Sequence, residues 1–388
     1  MKNEFDLLII GAGPAGLATA LGARRGGVEK ILVVDQQPAV GTQLKGQSIH
    51  YRPDKLTKIF LGDLPRKAFV SEVKSFGRNY YSPSGKKTFH LEDNVERVWI
   101  DFRLFLNELV KEAVLEDIFL RVNSKAINLK ALSDSQLQVS IKDLLKNQSE
   151  TVTTQVIVGA EGANSITAQH QHLPHPSPLC PIIRGHFFGE YNENDMEFLF
   201  FSDENLDVAG TSFIFPHGHQ NAEFGFIIFP EVSSDPLPDH WKIWKKVLNS
   251  PMVREKIRIS RFYETTKSTI PMGGPVLKIY KNNCFIIGEA AGHVTPSGGS
   301  GILTGLELGL FLGEQLGKSF PKWDEETLRN IEHQILNHPT HEKLSLMAQI
   351  ILPFRRRLFQ ELRTWEKIDQ DWENITEILS LAFAPKNE

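Results

Sequence analysis

Six residues near the amino terminus, Gly11-Ala-Gly-Pro-Ala-Gly16, have the types and spacing to hold a phosphate. They follow an apolar run, Phe5 to Ile10, and lead into a helical pattern through Leu17, Ala20 and Leu21. Such a strand, turn and helix needs glycine at three places. Gly11 permits the tight turn, Gly13 lets a pyrophosphate approach the backbone, and Gly16 lets the helix pack closely on the strand. The helix, with Pro14 and Ala15 in its first turn, then points its positive end at the phosphates. Asp35 ends a second apolar run, Ile31 to Val34, about 20 residues further on, where a carboxylate accepts hydrogen bonds from an adenosine ribose. An ordinary βα turn accounts for the glycines and leaves Asp35 unexplained. The unit predicts a dinucleotide site without separating FAD from NAD.

A second glycine-rich segment, Gly288-Glu-Ala-Ala-Gly-His-Val-Thr-Pro-Ser-Gly-Gly-Ser-Gly-Ile302, reads as a strand, Cys284 to Ile287, running into a loop and then a helix from about Ile302 to Leu316. Amides unshielded by side chains can lie against a flat ring, and the helix N-terminus can stabilise negative charge on it. Gly288, Glu289, Ala290, Pro296, Gly299, Gly301 and Ile302 are the candidate cofactor contacts here. His293, inside the loop, is a candidate proton donor, or else a residue that holds the backbone.

Gly288-Glu-Ala-Ala-Gly292 resembles the second FAD motif of flavoproteins with the para-hydroxybenzoate hydroxylase fold, and Val158-Gly-Ala-Glu-Gly-Ala-Asn-Ser165 resembles their middle motif. The three motifs stand in the order those families show. FAD is therefore the implied cofactor, with Glu161 and Gly162 added to its contacts. These families generally carry Asp where this chain has Glu161 and Glu289; a Glu keeps the charge and reaches one methylene further, so it can still hold a ribityl hydroxyl. The arginine usual before the helix near residue 100 is assigned to Arg103, with Arg97 as the nearby alternative.

Two departures lead away from aromatic hydroxylases: Gly292 stands where they usually have His, and Gly301-Ile302 replaces their Gly-x-Asn ending. Thr269-Ile-Pro-Met-Gly-Gly-Pro275, Phe215-Pro-His-Gly-His with Gly225, and Asn249-Ser-Pro-Met resemble the geranylgeranyl reductase family, over roughly residues 5 to 320. That resemblance implies reduction of carbon–carbon double bonds in an isoprenoid or prenyl lipid by hydride from reduced flavin. The alternatives are a flavin monooxygenase acting on an aromatic ring and a carotenoid-cyclase-like flavoprotein without net redox chemistry. Flavin halogenases usually carry Trp-x-Trp-x-Ile-Pro, whereas Trp241-Lys-Ile-Trp244 has a different spacing. No second complete nucleotide fingerprint occurs, so NAD(P)H would bind transiently as reductant, or an electron-donor protein would take its place.

Several reductases of the resembling family place a cysteine in the loop after the second strand; this chain has Gly41-Thr-Gln-Leu-Lys-Gly46, which excludes a loop thiol. His50 and Tyr51 follow in a segment that commonly reaches the active site of this fold, and they join His293 as candidate catalytic proton donors. His217 and His219 lie in an expected turn and are expected to face solvent.

The 388 residues are 41% hydrophobic and 23% charged, enough for a sizeable core divided between interleaved domains. The expected class is α/β: a Rossmann-like FAD-binding domain from residues 1–45, 98–168 and 276–318, a β-sheet substrate domain from 46–97 and 182–275, and a helical C-terminal segment, 319–388. Pro83-Ser-Gly85 reads as a hairpin turn in the second domain. Trp323, Leu328, Ile331 and Ile335 have helical spacing in the C-terminal segment. There Ile350-Ile-Leu-Pro-Phe-Arg-Arg-Arg-Leu-Phe359 reads either as a packed helix with one solvated basic face or as a helix lying on an anionic bilayer.

A net charge of −4, without aromatic residues interleaved among lysines and arginines, gives no nucleic-acid signature. Cys180 and Cys284 are the only cysteines and lack metal-ligand spacing, so neither a disulfide framework nor a metal site is expected, and Cys284 reads as core. From the start Met-Lys-Asn-Glu, which enters the first apolar run within a few residues, no signal peptide is expected, and no run of about 18 apolar residues occurs. Cytoplasm is the expected location, with peripheral membrane contact if the substrate is a lipid.

Overall fold

The computed structural model describes residues 3–42, 46–92, 95–202, 206, 208–218, 220–233 and 235–383. An eight-stranded sheet carries the dinucleotide unit, its main path running Tyr280–Lys281, Cys284–Ile286, Gln148–Gly159, Glu4–Ile10, Ile31–Val34, Phe119–Arg121. The four central pairings are parallel. Strands enclosed on both faces read as continuous apolar runs, and Leu7 to Ile10 and Ile31 to Val34 are buried throughout. Alternate residues serve opposite faces. Leu7, Ile9, Val156 and Val158 pack under helices, while Leu8, Ile10, Ile157 and Cys284 pack against Leu129 and Val139 of an antiparallel meander, Ser124–Ser133 and Gln136–Asp143. Cys284 is a core residue, as its apolar surroundings in the sequence suggest.

The helix Ile302–Ser319 carries glycine at 305, 309, 313 and 317, which at this interval form one stripe along the helix. The stripe lies on the helix Pro14–Arg25. A β-carbon placed on Gly309 would stand 2.4 Å from the Ala15 carbonyl oxygen, one on Gly313 2.2 Å from that of Thr19, and one on Gly317 2.4 Å from the Gly26 α-carbon. The two helix backbones therefore touch. Each interior glycine costs about 1 kcal/mol of helix propensity relative to alanine, so the crossing must return more than the stripe gives up.

A seven-stranded sheet lies beside this unit, in the order Arg258–Pro271, Leu179–Glu190, Asn221–Ile228, Gly210–Gly218, Asp195–Phe201, Gly77–Tyr81, Thr88–Leu91. The last two strands form the hairpin expected around Pro83-Ser-Gly85. One face of the sheet is covered by Ile243, Trp244, Val247 and Val253 from two short helices. The other is covered in part by C-terminal residues Phe354, Leu358, Phe359 and Trp372. A three-stranded sheet joins the two units: Gly46–His50 and Lys74–Ser75 flank Glu96–Asp101. Its Ile49, Val98 and Ile100 belong to the first core, whereas Trp99 faces the other way, onto Phe76 and Phe215.

Leu328, Ile331 and Ile335 dock in the first core as their spacing predicts. The basic run of 355–357 does not form one solvated face. Arg355 is buried, donating to Glu231 Oε1 at 3.1 Å and to the Pro296 carbonyl, with its guanidinium 4.1 Å from the Phe229 ring centroid. Arg357 bonds Asp371, and Arg356 alone is exposed. His217, expected to face solvent, is buried in the strand Gly210–Gly218, because that strand continues through the expected turn; His219 lies outside the described residues.

The glycine crossing gives a test with a defined sign. Gly309→Ala gains about 1 kcal/mol in propensity, but its methyl overlaps the Ala15 carbonyl, and overpacking that shifts side chains and backbone costs about 1–3 kcal/mol. The overlap is with backbone, which puts the cost in the upper part of that range, so urea denaturation should show a net loss of about 1–2 kcal/mol. Gly298→Ala, whose methyl meets nothing within 4 Å, should change stability by less than about 0.5 kcal/mol.

Candidate functional site

The helix crossing brings the three sequence motifs together. Gly11, at φ +105°, lies so close to the 158–165 segment that a β-carbon would stand 2.3 Å from the Ala160 carbonyl oxygen. Gly16 makes the neighbouring approach, 3.2 Å to the Ala160 methyl. Gly288, at φ +66°, would bring a β-carbon within 2.7 Å of the Ala15 methyl, and one on Gly162 would stand 3.6 Å from Glu289 Oε2. First turn, middle loop and late loop are thus immediate neighbours. Around Gly13, by contrast, a β-carbon meets nothing within 4 Å.

Asp101, Ser165, Asp239, Ser250 and Asp324 each cap the helix that follows with a side-chain acceptor. Gly13 and Gly301, which start Pro14–Arg25 and Ile302–Ser319, supply none. Two helix N-termini therefore offer amide groups and positive dipole ends to an outside acceptor, the first beside the open space at Gly13. Asp35 stands next to the first. Its Oδ2 accepts from the Ala12 amide at 2.8 Å and its Oδ1 from the Gln37 amide at 2.8 Å, which fixes the carboxylate across the turn.

The two glutamates diverge. Glu161 turns inward, accepting from Ser165 Oγ at 2.8 Å and from the Thr167 amide at 3.0 Å, besides the Thr167 hydroxyl. Desolvation pushes its carboxyl above the usual carboxylate range, against the pull of those donors. Glu289 is exposed beside Gly162 and Gly301. Arg103, also exposed, reaches the loop after the second strand, donating to the Gly41 and Thr42 carbonyls at 3.2 and 3.3 Å. Arg97 is buried in the strand Glu96–Asp101.

The late loop is held from inside. His293 is fully enclosed; its Nδ1 accepts from the Gly288 amide at 3.3 Å, and its Nε2 lies 3.2 Å from Nδ1 of buried His341. An acceptor Nδ1 leaves the ring proton on Nε2, directed at His341. The His293 carbonyl accepts from Thr304 Oγ1 at 2.6 Å, tying the loop to the helix it enters. Gly292, at φ +74°, leaves no room for the histidine of the hydroxylase pattern: a β-carbon would stand 2.4 Å from the Gly274 carbonyl oxygen. Ala290 is buried, Pro296 gives its carbonyl to Arg355, and Gly299 approaches Ile270 of the seven-stranded sheet. Ile302 is buried at the helix start.

His50, exposed, ends the first strand of the small sheet, and Tyr51, half-buried with its ring centroid 6.3 Å from that of Phe69, follows it. Two participants escaped the sequence reading. His341 lies 48 residues from His293 with no motif to join them. The glycine stripe was legible in principle, as a repeat of four residues.

Burial holds the His293 pKa down at about 3, with His341 and His338 adding smaller effects. An unfolded histidine binds a proton below about pH 6.5, while the folded one stays neutral until about pH 3. This contribution to stability is complete above pH 6.5 and is lost as pH falls through that window, at about 1.4 kcal/mol per unit. Denaturation at pH 7, 6 and 5 should show the decline, and His293→Gln, less stable at pH 7, should show a shallower slope.

Residues 6–46 match the FAD binding domain family. The chain is 25% identical over 341 residues to the digeranylgeranylglycerophospholipid reductase of Methanococcus vannielii, a match spanning 86% of this chain and 82% of that protein. In three dimensions it resembles a geranylgeranyl bacteriochlorophyll reductase-like protein from Thermoplasma acidophilum, with a TM-score of 0.78, 16% identity, and coverage of 99% and 96% of the two chains. It also resembles the flavin-dependent monooxygenase PieE, with a TM-score of 0.67, 12% identity, and coverage of 98% and 71%. The structural likenesses show the shared fold. Together with the sequence matches, they make the chain one that resembles the geranylgeranyl reductases among flavoproteins of the para-hydroxybenzoate hydroxylase type.

Proposed function

We propose that this chain, an FAD-dependent oxidoreductase, reduces carbon–carbon double bonds of an isoprenoid lipid. The observation that carries this reading is the match to a digeranylgeranylglycerophospholipid reductase across most of both chains. The likeness to a monooxygenase rests on fold alone, at 12% identity.

The residues fit the cofactor. The open space at Gly13 and the uncapped helix start beside it suit a pyrophosphate, Asp35 an adenosine ribose, and exposed Glu289 a ribityl hydroxyl. Glu161 serves the neighbouring loop instead, through its bonds to Ser165 and Thr167. When bound, FAD supplies hydride chemistry. Gly299 and Gly301 add no side chains to the late loop, and the Ile302–Ser319 dipole would favour negative charge on a bound ring. His293 positions this loop through the Gly288 amide rather than touching substrate. His50 and Tyr51 are the proton donors we propose to test.

An isolated alkene gives a hydride little help, so proximity and exclusion of water must do the work. A prenyl chain gains about 0.8 kcal/mol for each methylene buried. On the sheet face whose Phe200 is packed under Phe354, Phe359 and Trp372, the partly buried Phe198 and Phe215 are suited to such a chain. Leu277 and Leu346 line one groove, and Ile350 follows Leu346 one helical turn later; all three are exposed and give a lipid an apolar approach. No helix among the described residues is long and apolar enough to cross a membrane. The reductant under this reading is NAD(P)H bound transiently or an electron-donor protein.

Incubation of the flavin-loaded protein with NAD(P)H and a prenyl substrate under anaerobic conditions should yield the saturated chain, read by mass spectrometry. A hydroxylated product with oxygen uptake would overturn the reading in favour of a monooxygenase, and turnover without net electron use would point to a cyclase-like reaction. Among His50→Gln and Tyr51→Phe, the variant lacking the donor should lose about 10²- to 10⁴-fold in kcat with flavin retained; normal kcat in both would leave water as the donor. Glu289→Ala should weaken FAD binding about tenfold or more, the value of a hydrogen bond to a charged group, measured by fluorescence titration of the apoprotein.

A further inference from the structure

The central strands of the seven-stranded sheet bury a cluster that the flavin site does not use. His186 and Glu223 stand opposite each other in the pairing of Leu179–Glu190 with Asn221–Ile228, and Glu223 in turn stands opposite Phe215 on Gly210–Gly218. His217 follows Phe215 by two residues, at a register irregularity between Pro216 and Gly218. Irregularities of this kind re-aim side chains. One nitrogen from each of the two imidazoles and one Glu223 oxygen lie within 4.8 Å of one another, and all three residues are buried.

We infer that His186, His217 and Glu223 form a binding site for a divalent first-row transition metal ion, with zinc the ion best suited to two imidazoles and one carboxylate. Three protein ligands leave a further coordination position open, the pattern of zinc sites that also take water or a substrate atom. Ligand bonds near 2.1 Å set tetrahedral donors about 3.4 Å apart, so the observed spacing closes around an ion by side-chain movements of about 1 Å. The ligands sit on three adjacent, hydrogen-bonded strands, which limits how far they can drift.

The surroundings fit this role. Arg184 Nη1 lies 3.4 Å from Glu223 Oε1, so it holds one carboxylate oxygen and leaves Oε2, 3.9 Å from His186 Nε2, toward the imidazoles. Partners of this kind orient metal ligands and tune their basicity. The Trp99 ring covers His217 with centroids 4.5 Å apart, and the Tyr263 ring stacks on His186 at 5.7 Å. Among the described residues, His217 Nε2 has no hydrogen-bond partner. A buried imidazole nitrogen without a partner is costly, and a metal ion would use its lone pair. The expectation that no metal would bind rested on cysteine spacing; this site is assembled from three strands and contains no cysteine.

The test uses zinc alone and the flavin-loaded protein. After EDTA treatment and dialysis, titration with ZnCl2 is expected to show uptake of a single equivalent, with a zinc K-edge spectrum of nitrogen and oxygen neighbours that includes imidazole scattering and no sulfur. His217→Ala and Glu223→Gln should each weaken uptake about tenfold or more, while His333→Gln, at an exposed histidine, should not change it. Failure of the unmodified protein to take up zinc stoichiometrically, a sulfur-containing shell, or uptake indifferent to both substitutions would overturn the inference. The spectrum of the unmodified protein decides the matter even if either variant fails to fold.

Discussion

Contact between two helix backbones is the constraint on which the rest of this structure depends. Pro14–Arg25 and Ile302–Ser319 start 288 residues apart in a chain of 388, and each begins at a glycine turn with an uncapped N-terminus. A shared cofactor can lie across both turns only if the helices touch closely enough to set the turns side by side. The stripe from Gly305 to Gly317 makes that possible by removing every side chain that would hold the backbones apart. Residues between the two helices in sequence then become insertions, and each must return to the pair. The parallel pairing of Gln148–Gly159 with Glu4–Ile10 returns the middle motif, and that with Cys284–Ile286 leads into the late loop.

The second unit is joined to the first through few, large residues. Trp99 sits on a strand whose alternate residues, Val98 and Ile100, belong to the first core, and it packs onto Phe215 of the other sheet. Arg355 brings the C-terminal helix to the Pro296 carbonyl in the late loop and to Glu231 beyond the seven-stranded sheet. His293 and His341 make a similar link within the first unit. A buried arginine held by one carboxylate, one carbonyl and an aromatic face fixes a geometry, and those contacts offset part of the cost of taking its charge out of water. The glycine loop is thus backed on its inner side by buried, hydrogen-bonded groups.

Local pattern revealed what local physics governs. Both glycine turns, the strands before them, the hairpin at Pro83-Ser-Gly85 and the helical face of Leu328, Ile331 and Ile335 were legible, because turn chemistry and apolar periodicity act over a few residues. The fold class followed from motif order. Contacts that depend on strand register were not legible. His217 appeared to sit in a solvated turn because Pro216-His-Gly-His is turn-rich, yet pairing with Asn221–Ile228 carries the strand through it into the interior. Arg355 appeared to belong to a basic face because its neighbours are arginines, but the acceptors that bury it, Glu231 and Pro296, are 124 and 59 residues away. The glycine stripe lies between these cases: its spacing is local, but its meaning requires the partner helix.

The paired glutamates show how one kind of change can have two physical outcomes. Both occupy positions where the resembling families generally carry aspartate, and both keep the charge. At residue 161 the added methylene carries the carboxylate to the Ser165 hydroxyl and the Thr167 amide at the start of a short helix, so reach is spent on the protein itself. At residue 289 the side chain stays exposed beside Gly162 and Gly301, where a longer arm remains available to a ligand. One carboxylate is held by its own loop and the other is left exposed. Conservation of charge therefore does not imply conservation of role, because a carboxylate serves whichever donors its arm can reach.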